Sequence, residues 1–287
     1  MIKRLSHPSF RSVLAENPLV RVAGAHDALG AKLAEEAGFQ AVWSSSLEVS
    51  AARCLPDASL LSMTEYLQAA AHMQSAIGIP VVADCDTGYG NTLNVVHMVH
   101  EYEAAGITAV CMEDKLYPKM NSFAEVSQDL LSIPDFVRKL EAAKGAQSTE
   151  EFFVIARTEA LISGLGVDEA VTRCTAYAEA GADAVLVHSK QPTNWQVLEF
   201  LDRWDGRVPV VIVPTTYPDW TATDAAAAGV SVVIYANQGM RATVTALRDT
   251  FNAIQRSDSS RPIEDDVVSV KEIFALQRLD EWTAIEA

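Results

Sequence analysis

The sequence predicts an α/β fold closed as a (β/α)8 TIM-type barrel over residues 1–256, with a C-terminal helix extending beyond the barrel. Two observations carry that class. Eight short and often β-branched runs, continuously apolar apart from Arg21 in the first and Thr108 in the fourth, punctuate the chain at residues 20–23, 41–43, 79–83, 107–112, 152–156, 184–186, 208–213 and 232–234. A run that is apolar at every position is buried on both faces, as in a parallel sheet covered by helices, and eight such strands are the number that closes a barrel. Four of the runs also share one lead-in, a helix ending in glycine: Ala34-Glu35-Glu36-Ala37-Gly38, Tyr102-Glu103-Ala104-Ala105-Gly106, Tyr177-Ala178-Glu179-Ala180-Gly181, and the segment ending at Gly229. Glycine there supplies the left-handed C-cap that turns the chain back into a strand. An open, doubly wound sheet is the competing arrangement, but no G-x-G-x-x-G follows the first strand.

The connections carry their own signals. Asp84-Cys85-Asp86-Thr87-Gly88-Tyr89-Gly90-Asn91 reads as an Asp-Gly turn whose Asn91 caps the next helix. After the fourth strand, Glu113-Asp114-Lys115-Leu116-Tyr117-Pro118-Lys119-Met120-Asn121-Ser122 forms a polar loop. The chain returns from it as a helix over residues 130–144, with Ser132 as N-cap and Pro134 in the first turn. Residues 257–266 are polar and charged and read as a linker. Residues 267–284 have helical spacing with apolar Ile273, Phe274, Leu276 and Trp282. A helix beyond a closed barrel has no core of its own, so this one is expected to pack on a neighbouring subunit of a homo-oligomer, a dimer or a tetramer with the helix exchanged.

At 287 residues and 49% apolar content the chain is long enough for one large core. Its 38 acidic and 22 basic side chains give a formal charge of −16, which argues against nucleic acid or an anionic membrane surface as a partner. Any anionic ligand must find a local positive pocket. Four cysteines, Cys54, Cys85, Cys111 and Cys174, lack C-x-x-C spacing and read as buried, reduced thiols of a cytoplasmic protein. No apolar run approaches a membrane span, and the first ten residues lack the hydrophobic segment of a signal peptide.

The residues at the strand ends are polar although the strands are not: Trp43-Ser44-Ser45-Ser46-Leu47, Asp84-Cys85-Asp86, Glu113, Arg157, His188, Pro214-Thr215 and Asn237. In a barrel these ends converge on one rim, where the fold keeps its chemistry. Asp84, Asp86 and Glu113 are hard oxygen ligands with no nearby cysteine–histidine set, a combination suited to magnesium, with manganese as the alternative. Arg157 emerges from four apolar residues and suits a bidentate oxyanion such as a carboxylate or enolate, although a buried pair with Glu159 is its simpler use. His188 stands equally well as a ligand contact or as a satisfied structural histidine.

These residues resemble the phosphoenolpyruvate mutase and isocitrate lyase superfamily over nearly the whole chain. The resemblance rests on Trp43-Ser44-Ser45-Ser46-Leu47, on the Asp84–Asn91 stretch, on Val154-Ile155-Ala156-Arg157-Thr158-Glu159-Ala160 and on Ser269-Val270-Lys271-Glu272-Ile273-Phe274. Glu113-Asp114-Lys115, five further residues and Asn121-Ser122 resemble the loop signature of its mutases. The Lys-Lys-Cys-Gly-His motif of its carbon–carbon lyases is absent, which disfavours lyase chemistry. Phosphonopyruvate hydrolases, to which Leu55-Pro56-Asp57-Ala58-Ser59 is also similar, have threonine where this chain has Asn121. The chain departs from the mutase pattern at Ser46, where glycine is usual, at Gln238, where histidine is usual, and in a shorter loop after Ser122.

The resemblance implies an enzyme that interconverts phosphoenolpyruvate and phosphonopyruvate in phosphonate metabolism, with hydrolysis of phosphonopyruvate as the alternative and a non-catalytic ligand-binding barrel as a more distant one. It implies magnesium held by Asp84 with Asp86 and Glu113 in its outer shell. Ser45 and the backbone of Ser46 and Leu47, beside Trp43, would hold the substrate carboxylate. Lys119, Asn121, Ser122, Arg157 and His188 would surround the phosphoryl group, with Asp57 steering it.

Overall fold

The computed structural model describes residues 5–285. Its centre is a closed barrel of eight parallel strands, each hydrogen-bonded to the next in sequence and β8 to β1: β1 (Val20–Ala25), β2 (Ala41–Ser44), β3 (Val81–Asp84), β4 (Ala109–Glu113), β5 (Phe153–Thr158), β6 (Ala184–Val187), β7 (Val210–Ile212) and β8 (Val232–Tyr235). Around it run α1 (Phe10–Glu16), α2 (Ala28–Glu36), α3 (Ser46–Ala51), α4 (Met63–Ala76), α5 (Thr92–Ala104), α6 (Ile133–Ala146), α7 (Gly166–Glu179), α8 (Trp195–Arg203), α9 (Ala222–Ala227) and α10 (Gln238–Ser257). The strands alternate between two cores, as the parallel pleat requires. Val22, Trp43, Val82, Cys111, Ile155, Leu186, Val211 and Ile234 fill the barrel interior, whereas Val42, Val81, Ala83, Val110 and Val154 pack outward against the helices. Closure brings β1 so near the chain after β8 that a Cβ on Gly24 would stand 2.4 Å from the Ala236 carbonyl oxygen, which is why glycine occupies that position.

The expected caps form. The Asn91 side chain accepts from Leu93 and Asn94 N–H and opens α5, and Ser132 accepts from Asp135 N–H to open α6, with Pro134 in the first turn. Gly38, Gly106, Gly181 and Gly229 all adopt positive φ directly before the strands they precede. One cysteine differs from expectation: Cys85, Cys111 and Cys174 are buried, but Cys54 is exposed, because it follows α3 in an open turn with φ of 55°.

The C-terminal region also differs in detail. Instead of one helix, residues beyond the linker form α11 (Val270–Leu276) and α12 (Leu279–Thr283), broken where Arg278 takes a left-handed φ of 56°. Helices α10, α11 and α12 have no buried residue, and Val244, Leu247, Phe251, Val270, Phe274 and Trp282 are all exposed. Apolar side chains at this density on a helix are partnered in most soluble assemblies. Truncation after Ser257, which removes α11 and α12, is expected to lower the number of chains per particle given by light scattering, and an unchanged number would show that α11 and α12 hold no assembly together.

Candidate active site

Most strands deliver one or two polar groups to the carboxyl end of the barrel. Asp84 ends β3, Glu113 ends β4 in register with Arg157 on β5, and His188 follows β6. The turn after β3 is built for this purpose: Asp86 takes a left-handed φ of 49°, and Gly88, at φ 80°, leaves no room for a Cβ against Val95. Aspartate tolerates that region through local hydrogen bonding, and such backbone strain concentrates at functional sites. Asp84, Arg157 and His188 meet in a narrow pocket of about 50 Å³, room for a few waters, lined also by Trp43, Ser45, Ser46, Leu47, Asp57, Lys119, Asn121, Ser122, Phe123, Thr215 and Asn237, while Asp86 and Glu113 lie behind that lining. A larger cleft of about 830 Å³ lies between α2, α4 and the C-terminal helices, but the buried acidic groups do not converge there.

Lys119 is the centre of the pocket. Its ammonium lies 2.8 Å from Asp86 Oδ1, 3.1 Å from Asp57 Oδ1, 3.2 Å from Asp57 Oδ2 and 3.0 Å from Ser46 Oγ. Burial alone would strip its proton, but Asp86, Asp57, Glu113 and Asp84 outweigh burial and hold its pKa well above the usual lysine range. Burial likewise opposes the charge on Asp57, yet the Lys119 ammonium and the Asn121 amide keep that carboxyl below its ordinary range. Asp84 accepts from the Ser46 hydroxyl at 2.8 Å and, through Oδ1, from Asp86 N–H at 3.3 Å. Asp86 and Glu113 are less compensated: burial pushes the first up to about 6 and the second up to about 7, against the pull of Lys119 on both and of Arg157 on Glu113.

These carboxylates suit a hard divalent cation. Among the described residues both oxygens of Glu113 are buried without a hydrogen bond, and Arg157 Nε alone forms an ion pair with one of them, at 3.3 Å. Among the described residues no three acidic, histidine or cysteine side chains already form a cage. Magnesium does not require one, since it keeps several waters and touches one or two carboxylates.

Two expected roles are altered by the local fold. The Ser45 hydroxyl caps α3 by accepting from Glu48 N–H at 3.3 Å, and the Ser46 N–H points at Asp84 Oδ2 at 3.3 Å. Leu47 lines the pocket with them. Arg157 does make the pair with Glu159, at 2.6 Å through Nε, while its Nη2 donates to Ser122 at 3.1 Å and lies 2.8 Å from His188 Nδ1. That imidazole nitrogen is also 2.9 Å from Glu159 Oε1. A guanidinium only donates and a carboxylate only accepts, so Nδ1 serves one of them at a time. His188 Nε2 is buried with no partner among the described residues, and burial holds the ring's pKa below the usual histidine value.

Asn121 has a fixed amide orientation. Its Oδ1 accepts from Phe123 N–H at 3.0 Å, which leaves the Nδ2 group to donate to Asp57 at 2.8 Å. Phe123, missed in the sequence, packs edge-on to His188 with ring centroids 5.7 Å apart. Nothing in a loop sequence marks such a contact. Glu159 and Lys115 were visible as charged residues, but their burial at 0% and 2% exposure is a tertiary fact.

The geometry defines a (β/α)8 enzyme site for a small, anionic substrate: a ring of carboxylates at one side, an arginine and a histidine at the other, and a loop across the mouth. Residues 10–255 match the family model for phosphoenolpyruvate phosphomutase, and the chain belongs to that family. It is 46% identical over 281 residues to a phosphonopyruvate hydrolase from Variovorax sp. (strain Pal2), covering 97% of each chain. It superposes on the crystal structure of a phosphoenolpyruvate phosphomutase from Streptomyces platensis subsp. rosaceus with a TM-score of 0.95 and 52% identity, covering 96% of each. A phosphonopyruvate hydrolase in complex with oxalate and Mg2+ gives a TM-score of 0.91 at 46% identity, again over 96% of each chain. The family, the barrel and the enzymatic class thus agree with the strand-end reading.

The raised pKa of Glu113 has a stability consequence. Between pH 4.5 and about 7 the folded protein keeps a proton on Glu113 that the unfolded chain has released, so this contribution is fully present below pH 4.5 and lost as pH rises to 7. In metal-free protein, Glu113→Gln should therefore raise the melting temperature at pH 8 by roughly 5 °C and at pH 4.5 by little. Scanning calorimetry at both values checks this, and an equal shift at the two would refute it.

Proposed function

We propose that the chain is a phosphoenolpyruvate phosphonomutase, which moves a phosphoryl group between the carbon of phosphonopyruvate and the enolate oxygen of phosphoenolpyruvate. The observation that carries this reading is the loop after β4, whose Lys119, Asn121 and Ser122 line the same pocket as Arg157 and His188, with Ser122 hydrogen-bonded to Arg157. In such a transfer the carbon–phosphorus bond breaks, its electron pair becomes the pyruvate enolate, and the enolate oxygen then takes the phosphoryl group. A loose transition state of this kind asks for positioning and charge compensation more than for proton transfer. Arg157 can donate to the phosphoryl and enolate oxygens, and the Asn121 amide can hold the migrating group without accepting a proton from water. Thr215 and Asn237 add polar contacts at the far wall, where Asn237 Nδ2 reaches Thr215 Oγ1 at 3.4 Å.

Magnesium, or manganese in its place, fits beside Asp84, with Asp86 and Glu113 reached through water. Bound there, it would supply positive charge to the developing enolate. The oxalate and Mg2+ held by the related hydrolase support this assignment, oxalate being a planar dianion like the pyruvate enolate. The Lys119 ammonium now neutralises the same carboxylates, so metal and substrate must draw it toward the phosphoryl group. Lys119→Met is accordingly expected to bind Mn2+ about tenfold more tightly than the parent, a change of ~1.4 kcal/mol, as read by electron paramagnetic resonance. Weaker binding in that variant would remove Lys119 from the metal's surroundings.

The second reading, hydrolysis of phosphonopyruvate to pyruvate and phosphate, is favoured by the 46% identity to the Variovorax hydrolase over 97% of both chains. Phosphorus magnetic resonance on phosphonopyruvate with magnesium separates the two. The parent should form phosphoenolpyruvate, and Asn121→Thr should lower that product and raise free phosphate. If the parent itself releases mainly phosphate, the hydrolase reading takes over.

A further inference from the structure

The carboxylate of Glu159 is completely buried just beyond β5 and shares Arg157 Nε with Glu113, at 2.6 Å and 3.3 Å respectively. Four groups converge on it. Oε1 accepts from Arg157 Nε at 2.6 Å and lies 2.9 Å from His188 Nδ1, while Oε2 accepts from Ser122 Oγ at 2.5 Å and pairs with Lys115 Nζ at 3.3 Å. Burial opposes its charge, but Arg157, His188 and Lys115 more than compensate and hold the carboxyl well below the usual range. Its own N–H is tied down by Asp114 Oδ1 at 2.8 Å. Asp114 in turn accepts from Thr158, Arg173 and Tyr177, which makes this corner of the barrel rigid.

Two of the four groups belong to the barrel wall and two to the loop. Lys115 also donates to the Met120 carbonyl at 2.8 Å and to Ser122 at 3.0 Å, so its ammonium ties both ends of the 115–122 segment to the same carboxylate. The loop's other attachment, Lys119 and Asn121 on Asp57 and Asp86, lies in the pocket itself and must be given up when an anion and a cation enter. The attachment to Glu159 is made by Ser122, which lines the pocket beside Arg157, and by Lys115, which with Glu159 lies behind that lining and offers no group that an entering anion or cation must displace.

We infer that Glu159 is the positioning residue of this site: one carboxylate both aligns Arg157 and His188 and latches the loop through Ser122 and Lys115, so that the pocket is sealed against water only when those two donors are in place. The inference deepens the phosphoryl-transfer reading and rests on it for its chemical consequence, though the latch itself does not. An aligned but open site would let water intercept the phosphoryl group. The latch makes alignment and sealing one event.

The test uses the full-length protein and three variants: Glu159→Gln, which keeps shape and removes the charge, Lys115→Met, which removes only the loop's ammonium, and Lys115→Arg, which restores a cation. Hydrogen exchange of peptides covering residues 116–126 should accelerate about tenfold or more in the first two and return toward the parent rate in the third, with β5 and α7 unchanged. A role limited to stability would leave the loop's rate unaltered or raise exchange in β5 and α7 as well, and either result overturns the inference. If Glu159→Gln fails to fold, the two Lys115 variants decide alone. With phosphonopyruvate as substrate, the two latch-weakening variants should also release about tenfold more phosphate per phosphoenolpyruvate formed. A parent that turns over no phosphonopyruvate defeats the functional reading while the exchange result still judges the latch.

Discussion

Everything at the mouth of this barrel depends on the compensation of buried charge. Asp57, Asp84, Asp86, Glu113 and Glu159 crowd the barrel mouth, and among the described residues Lys115, Lys119 and Arg157, with His188 beside Glu159, oppose them at close range. Carboxylates removed from water are costly unless paired, and removing one partner of a buried pair costs more than the pair itself contributes. Lys119 and Arg157 are therefore held charged by their neighbours, while Glu113 and Asp86 stay under-compensated. A divalent cation is the addition that relieves this imbalance.

The barrel can carry such a load because its charged groups stand on stiff elements. Asp84, Glu113 and Arg157 are strand residues locked by parallel ladders, with Glu113 directly opposite Arg157 on the neighbouring strand. The interior beneath them is filled by Trp43, Val82, Cys111, Ile155 and Leu186, so the rim has little freedom to collapse inward. The loop that carries Lys119 and Asn121 is attached at two chemically distinct places: the pocket carboxylates Asp57 and Asp86, and Glu159 behind the pocket lining. That separation lets the loop exchange one set of contacts without losing the other.

The same logic explains why the lone Glu159 carboxylate matters more than its neighbours in sequence suggest. Between an arginine on the strand and an alanine in the following turn it looks like the simple partner of Arg157, and it is that partner. The loop returning from β4 adds Ser122 and Lys115 to it, and the next strand adds His188. A local pair has become a junction of three segments far apart in the chain.

The sequence by itself determined the eight strands, the order of the barrel, the caps at Asn91 and Ser132 and the membership of the rim. Those features arise from local pattern: apolar runs buried on both faces, glycine C-caps and polar residues at strand ends each leave a mark within a few positions. It also marked Asp84, Asp86, Glu113, Arg157 and His188 as neighbours, since a barrel sends all strand ends to one face, whereas Lys119 and Asn121 joined them through the family resemblance of the loop. Only the tertiary structure decided who touches whom. That Lys119 sits among the carboxylates, that Phe123 covers His188, that the terminal helix breaks at Arg278 and that Cys54 is exposed all follow from loop paths and packing. Side-chain contacts between residues 30 to 70 positions apart are set by the closure of the whole barrel, and no short-range periodicity encodes them.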